Sequence, residues 1–362
     1  MRIARAIIDL NALRHNYREV RRFAPQSRIM CVIKANAYGH GMVEVAKALP
    51  QADGFAVACL DEALQLRSHG IRQPLTVFQG FQSTEDLQLC RRHGLWPVVH
   101  HASQLEMMAG EATTAAPLEV WLKIATGMNR LGFRPEDTAG AWERLRASGG
   151  VRRVRLMTHM ARADEGRDGD TDPTALQLRL FDSVTAGLNA ERSLANSAAL
   201  IDWPDARRDW VRPGIMLYGV SPFLPGHGPR LDLKPVMTLR SRLIAINNRK
   251  SGEPIGYGGV WVCPRDMRVG AVAIGYGDGY PRHIETGTPV LVNGKRAPIV
   301  GRVSMDLLTV DLSASDAKVG DEVMLWGEGL PVDQMAVHAD TIAYELLCSV
   351  YGRVNYEYEY RE

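Results

Sequence analysis

Val32-Ile33-Lys34-Ala35-Asn36-Ala37-Tyr38-Gly39-His40-Gly41 decides how the whole chain is read. It continues the apolar run Ile29-Met30-Cys31-Val32-Ile33, which has the length and composition of a parallel strand buried on both faces. A single lysine follows, then small residues, an aromatic and two glycines. An ammonium at the rim of an apolar core is unfavourable. A lysine placed there tends to lose its proton and becomes a nucleophile for carbonyls, as Schiff-base chemistry requires. The alternative for one lysine taken alone is a strand-end side chain stretched into solvent.

Outward from that stretch, short apolar strands alternate with helical patterns as far as residue 220. Strands are expected near 29–33, 55–58, 75–79, 96–99, 119–124, 154–159, 193–196 and 210–217. Amphipathic segments such as 61–67, 135–142 and 175–181 lie between them, and Gly70, Gly94 and Gly149 punctuate helix ends. Eight such units fit a (β/α)₈ TIM-type barrel, with a doubly wound sheet as the competing α/β architecture. Pro222, Pro225, Gly226, Gly228, Pro229 and Pro235 then mark a linker. Beyond it strands follow strands: 237–246, 267–275, 289–292, 297–303, 307–312 and 322–326. Asn293-Gly294 reads as a type I′ hairpin turn. The expected division is a barrel over 1–225 and a mostly β domain over 226–362.

Bulk properties narrow the function classes. The 362 residues exceed one ordinary core, and 46% hydrophobic with 23% charged content is that of a soluble globular protein. Forty-three basic against 41 acidic residues give +2, with no run suited to nucleic acid. The first residues lack the apolar core of an export signal and no window reaches a membrane span, so a cytoplasmic location is expected. Cysteines 31, 59, 90, 263 and 348 lack a C-x-x-C, and the ten histidines include no H-E-x-x-H; no metal site is expected.

In a barrel, chemistry gathers at the C-terminal ends of the strands. That rule places Lys34 at the end of the first strand, Lys123 within the fifth, and Arg130 in the loop that follows. His159 falls at the end of the sixth strand, Asn196-Ser197 at the end of the seventh, and Arg212-Pro213-Gly214 within the eighth. The loops after the seventh and eighth strands often bind phosphate, and here they carry a serine hydroxyl and a glycine with an approachable N–H. A nucleophilic lysine facing a phosphate cradle points to pyridoxal 5′-phosphate (PLP).

The motif at 32–41 resembles the PLP-lysine motif of the alanine racemase family. Thr126-Gly127-Met128-Asn129-Arg130-Leu131-Gly132, Thr158-His159-Met160-Ala161, Ala195-Asn196-Ser197-Ala198-Ala199 and the run Arg212 to Gly219 resemble further blocks. So do Gly256-Tyr257-Gly258, Ile274 to Gly279 and Gly301 to Asp306 in the β domain. The resemblance spans nearly the whole chain and implies interconversion of L- and D-alanine by two bases. Lys34 would hold PLP and serve the D-alanine face. Tyr257, reaching the site from the partner subunit of a homodimer, would serve the L-face.

Tyr38, Asn196, Ser197, Gly214 and Ile215 would contact PLP, its phosphate above all, with Arg212 facing the pyridine nitrogen. Arg130, Met305 and Asp306 would meet the substrate, and Lys123 occupies a position that is carbamylated in many members. An unperturbed tyrosine titrates near ~10, and His159 linked to Arg212 is expected to assist Tyr257. Tyr276 and Asp278 fall on the family's substrate entryway, with a polar turn as the other reading.

The chain departs from the family at its end. Gly352 stands where the family often has a phosphate-binding tyrosine before Arg-Val-Pro, and the resemblance leaves Tyr351 beside it as the candidate substitute. A barrel-type PLP decarboxylase would place an acidic residue where Arg212 stands. A PLP-homeostasis protein would lack the β domain, and broad-specificity racemases usually carry export signals. The implied role is to supply D-alanine for peptidoglycan or to degrade it.

Overall fold

The computed structural model describes residues 3–109, 116–165, 167, 169–223, 228–350 and 352–360. Tyr351, Pro225, Gly226 and the expected boundary between 225 and 226 lie outside the described residues. Strand β1 (Arg5–Asp9) comes first, and Asp9 caps the helix Leu10–Phe23 by accepting the N–H groups of Asn11 and Ala12.

The barrel follows as β2 (Arg28–Val32), β3 (Gly54–Val57), β4 (Leu75–Val77), β5 (Trp96–Val99), β6 (Leu118–Lys123), β7 (Val151–Met157), β8 (Arg192–Ser193) and β9 (Trp210–Val211). All eight are parallel. The ring closes where β9 pairs with β2 through Arg28↔Trp210 and Ile29↔Val211. The TIM-type reading holds and the doubly wound alternative does not.

The second domain is mostly β. Its strands are β10 (Met237–Arg249), β11 (Pro254–Ile255), β12 (Trp261–Val262), β13 (Met267–Val272), β14 (Pro289–Val292), β15 (Lys295–Pro298), β16 (Leu308–Asp311), β17 (Glu322–Trp326) and β18 (Asn355–Glu359). The hairpin β14–β15 turns through Asn293 and Gly294, at φ 49° and 77°, as a type I′ turn demands. The long β10 is the spine, pairing with β1, β13 and β17. β11 and β12 form a separate ribbon that carries Tyr257 between them.

Four local expectations are corrected. Residues 5–9 join the second sheet, where β1 runs antiparallel to β10 and parallel to β18. The strand expected over 297–303 is β15, which ends at Pro298. β13 stops at Val272, short of Gly275, whose N–H is taken by the Asp278 carboxylate to start a turn. Arg212-Pro213-Gly214 lies beyond β9: Arg212 N–H still reaches Ala195 O and Pro213 O accepts the Val32 N–H, but Pro213 has no N–H of its own to extend the ladder.

The N-terminal end of the barrel is closed by charge and aromatic rings. Arg155, 1% exposed, pairs with Glu119 at 2.5 Å and Glu191 at 2.6 Å, and its guanidinium lies 3.8 Å from the centroid of the Trp96 ring. Burial raises the Glu191 carboxyl, but hydrogen bonds from Arg28, Trp210 and Arg155 outweigh it and hold the group at about 2. Removing the buried guanidinium would take away the cation that Glu119 and Glu191 share in the core, leaving them the more exposed Arg152 and Arg28. Arg155→Met should lower the unfolding free energy by about 3 kcal/mol, read from urea denaturation at neutral pH. An unchanged midpoint would contradict this account of the barrel floor.

Candidate active site

Two residues beyond β2, Lys34 sits half-buried at the start of an unusual turn. Ala35, Asn36, Ala37 and Tyr38 all lie in the left-handed helical region, with φ between 51° and 55°. For residues that carry a Cβ this costs about 1–2 kcal/mol each, so surrounding contacts must hold the turn. Hydrogen bonds from Ala37 N to Ile33 O and from Gly41 N to Asn36 O close it at 2.8 and 2.9 Å. Gly39 ends it at φ 80°, and a Cβ there would fall 2.1 Å from the Leu347 carbonyl oxygen. Glycine therefore lets the helix Ala343–Ser349 pack directly on the lysine turn.

Positive charge gathers at the barrel mouth. Burial first, and then the Arg130 charge, push the Lys34 amine below its ordinary value. Lys123, the last residue of β6, is lowered to about 8 by burial and by Arg212, Arg130 and Lys34. Burial, together with the same arginines and lysines, takes half-buried His159 down to about 3. The Arg212 guanidinium is 4% exposed and lowered to about 10 by burial. It donates to Ser193 Oγ at 2.6 Å, Thr158 O at 2.6 Å and Leu194 O at 3.2 Å. The expected link from Arg212 to His159 thus runs through space, while the hydrogen bond goes to the preceding carbonyl.

An anion cradle lies beside this cluster. Asn196 caps the short helix Ser197–Asp202 through Ala199 N and donates to Met160 O at 3.3 Å. Ser197 Oγ accepts the Gly214 N–H at 2.9 Å, which leaves the hydroxyl proton to donate outward. A Cβ on Gly214 would lie 2.6 Å from Tyr38 Oη, so the tyrosine reaches the cradle only over glycine. The Tyr38 ring is fixed between Tyr218 at 4.9 Å and Tyr344 at 5.9 Å between centroids. Ile215 is buried behind. These donors and the lysine amine suit a phosphorylated aldehyde such as PLP.

The structure brings Lys34, Tyr38, Lys123, Arg130, His159, Asn196, Ser197, Arg212, Gly214 and Ile215 to the barrel mouth. Tyr257, Met305 and Asp306 belong to the β domain and stand at its surface, Tyr257 69% and Met305 51% exposed. The Asp306 carboxylate is engaged by Arg353, which also pairs with buried Asp278 at 3.2 Å. Asp278 thus serves the turn that presents exposed Tyr276.

Sequence reasoning missed three buttresses. Gln177, inside an expected helix, donates to Thr126 Oγ1 and His159 O and accepts from Ala161 N, tying two mouth loops together. Glu62 and His40 bond to the lysine turn. A helical glutamine or glutamate carries no sequence signal for such contacts. His40 lies within the 32–41 motif, where nothing in the residue pattern distinguishes a buried hydrogen-bonding histidine from a surface one.

Comparison with known proteins agrees with this geometry. Residues 8–222 match the family described as alanine racemase, N-terminal domain, and 236–358 match alanine racemase, C-terminal domain. The chain is 54% identical over 360 residues to an alanine racemase of Azoarcus sp. (strain BH72), covering 99% of each. It is 50% identical over 352 residues to a catabolic alanine racemase of Pseudomonas putida, covering 97% of each.

Among solved structures, it is similar to the biosynthetic alanine racemase of Pseudomonas aeruginosa, with a TM-score of 0.94 and 45% identity, covering 99% of this chain and 100% of that one. The alanine racemase of Bartonella henselae, solved with covalently bound pyridoxal phosphate, superposes with a TM-score of 0.89 at 29% identity, covering 99% and 100%.

The low value for His159 sets a testable pH behaviour. Its imidazole should stay neutral from about pH 5 to 8, so its C2-proton resonance should not titrate there. The unfolded chain takes up that proton near ~6.5, so His159 costs the fold stability as pH falls below that value. A midpoint near 6.5 in the folded protein would mean that neither burial nor the Arg212 charge acts on it.

Proposed function

The chain belongs to the alanine racemase family, and we propose that it uses PLP to interconvert L- and D-alanine through two bases, Lys34 and Tyr257. The observation that carries the PLP reading is the convergence of a deprotonation-prone lysine with the Ser197–Gly214–Tyr38 cradle in a field of positive charge. Lys34 would hold the cofactor, and Tyr38, Asn196, Ser197, Gly214 and Ile215 its phosphate end. Bound there, PLP supplies an electron sink that acidifies the Cα–H of the amino acid.

The chain's own residues do the rest. Lys34 takes or returns the Cα proton on one face of the substrate. Tyr257 does so on the other, so that removal on one side and return on the other inverts the centre. The Arg212 guanidinium, which offers only donors and a fixed positive charge, would face the pyridine nitrogen of a bound cofactor. It would disfavour a proton there, which would favour prompt return of a proton to Cα. Arg130, exposed at the mouth, meets the substrate carboxylate, with Met305 approaching from the β domain. Because the exchange runs both ways, one site can supply D-alanine for peptidoglycan or degrade it. The free cysteines, three of them buried, suit a reducing cytoplasm.

Exposed apolar side chains support the two-chain site. Tyr257, Val260, Val262, Met305 and Leu307 are bared on the β domain, and Met128 and Leu131 beside the barrel mouth. An isologous homodimer would cover both sets at once and bring each Tyr257 to the other chain's Lys34. Lys34→Ala and Tyr257→Ala should each be nearly inactive. Reassembled together at random, about half the dimers are mixed and each holds one intact site, so roughly a quarter of the activity should return. Verified heterodimers without activity would place Tyr257 in its own chain's site.

The two mouth lysines should divide their labour. At about 8, roughly a tenth of the Lys123 amines are free at pH 7, against about one in three thousand at the ordinary value. A free amine adds to carbon dioxide and releases a proton, giving a carbamate that pairs with Arg130 and relieves the crowding of cations. Borohydride reduction of the holoenzyme should leave the pyridoxyl label on Lys34, and ¹³C-bicarbonate should give a carbamate resonance that Lys123→Met abolishes. A label on Lys123 would overturn both assignments.

A further inference from the structure

The left-handed turn that carries Lys34 and Tyr38 is held by two side chains to which the reaction itself assigns no part. Glu62 stands in the first turn of the helix Leu60–Ser68. One of its carboxylate oxygens accepts the Ala35 N–H at 2.7 Å and the other accepts Ala58 N–H at 2.7 Å. These donors lie in the loops after β2 and β3, so one carboxylate ties the residue following Lys34 to the neighbouring barrel strand. Two short bonds of this kind engage both carboxylate oxygens, one backbone N–H on each.

His40 works from the other end of the turn. It is fully buried, and its Nδ1 lies 3.0 Å from Ala37 O and 2.9 Å from Tyr38 O. Both partners are acceptors, so Nδ1 carries the proton and the ring is the neutral Nδ1–H tautomer. The ring stacks on Tyr218 at 4.6 Å, and Tyr218 donates to Val32 O at 2.9 Å, at the end of β2. The carbonyls of Ala37 and Tyr38 are thus fastened to the strand from which the turn departs.

We propose that Glu62 and His40 are positioning residues for racemisation: they hold Ala35–Tyr38 left-handed and so aim the Lys34 amine and the Tyr38 hydroxyl at the bound cofactor. This rests on the roles given above to Lys34 and Tyr38. A filler of the core could be replaced by any side chain of similar shape. A donor aimed at two carbonyls could not.

The test uses Glu62→Gln, His40→Phe, His40→Asn and Lys34→Ala. Glu62→Gln sets an NH₂ group against a backbone N–H, and His40→Phe keeps the ring but loses the donor. His40→Asn loses the ring but returns an N–H near the Nδ1 position. Glu62→Gln and His40→Phe should each bind PLP about tenfold more weakly when the apoenzyme is titrated by absorbance. Their kcat should fall with KM for alanine within about twofold, and His40→Asn should recover most of the loss.

Wild-type affinity in Glu62→Gln, or His40→Phe outperforming His40→Asn, would overturn the proposal. So would ¹⁵N spectra of the wild-type protein showing the His40 proton on Nε2, a readout independent of whether the variants fold. Lys34→Ala separates the two readings. Tight PLP binding there refutes the role of Lys34, whereas loss there with none in the other variants refutes the positioning role alone.

Discussion

The constraint on which the site depends is the crowding of Lys34, Lys123, Arg130 and Arg212 at one barrel mouth. Burial first, and then these charges, lower the proton affinity of Lys34, Lys123 and His159. In water such a cluster would disperse. Here the strands and their loops fix where it sits, and the Arg212 guanidinium is tied down by three hydrogen bonds. The fold therefore stores an electrostatic demand for an anion in a place that also offers a nucleophilic amine. A phosphate-bearing aldehyde meets both demands, and a carbamate on Lys123 would moderate what remains.

The same site contains conformational strain. Four successive residues with side chains sit in the left-handed region, where isolated residues are uncommon. Closing the turn this way lets Tyr38 reach over Gly214 while Lys34 stays half-buried at the strand end. The helix Ala343–Ser349 presses on the turn at Gly39, so the β domain also constrains the lysine from within its own chain. Charge and strain thus converge on the same few residues, Lys34 and the turn that follows it.

The barrel was legible because parallel strands buried on both faces write themselves as short apolar runs, and 29–33, 55–58 and 96–99 match β2, β3 and β5 closely. Asn293-Gly294 was legible because few dipeptides tolerate two positive φ angles in a row. The placement of β1 was not. Five alternating residues look alike in either sheet, and their partners stand more than two hundred residues away. The last two barrel strands were overestimated because 193–196 and 210–217 are buried but largely unladdered, and apolarity reports burial more directly than pairing. The left-handed turn gave no warning, since Ala35-Asn36-Ala37-Tyr38 lacks the glycine that such backbone usually requires. Glu62, His40 and Gln177 were invisible as buttresses for a related reason: what marks them is the identity of the backbone groups they meet.

The two ends of the barrel show how one architecture separates stability from chemistry. At the N-terminal end, Arg155 is neutralised by Glu119 and Glu191 and stacked on Trp96, and Trp210 adds a hydrogen bond to Glu191. Arg28 and Arg152 also pair with Glu191 and Glu119, so each charge there meets one of opposite sign and the layer acts as packing. At the C-terminal end the cations face one another, and the Glu62 carboxylate near Lys34 has both its oxygens engaged by backbone N–H groups. A matched mouth would hold its lysines as inert ammonium groups. Because the floor supplies closure and packing independently, the mouth can remain unmatched, and burial together with the Arg130 charge then pushes the Lys34 amine below its ordinary value.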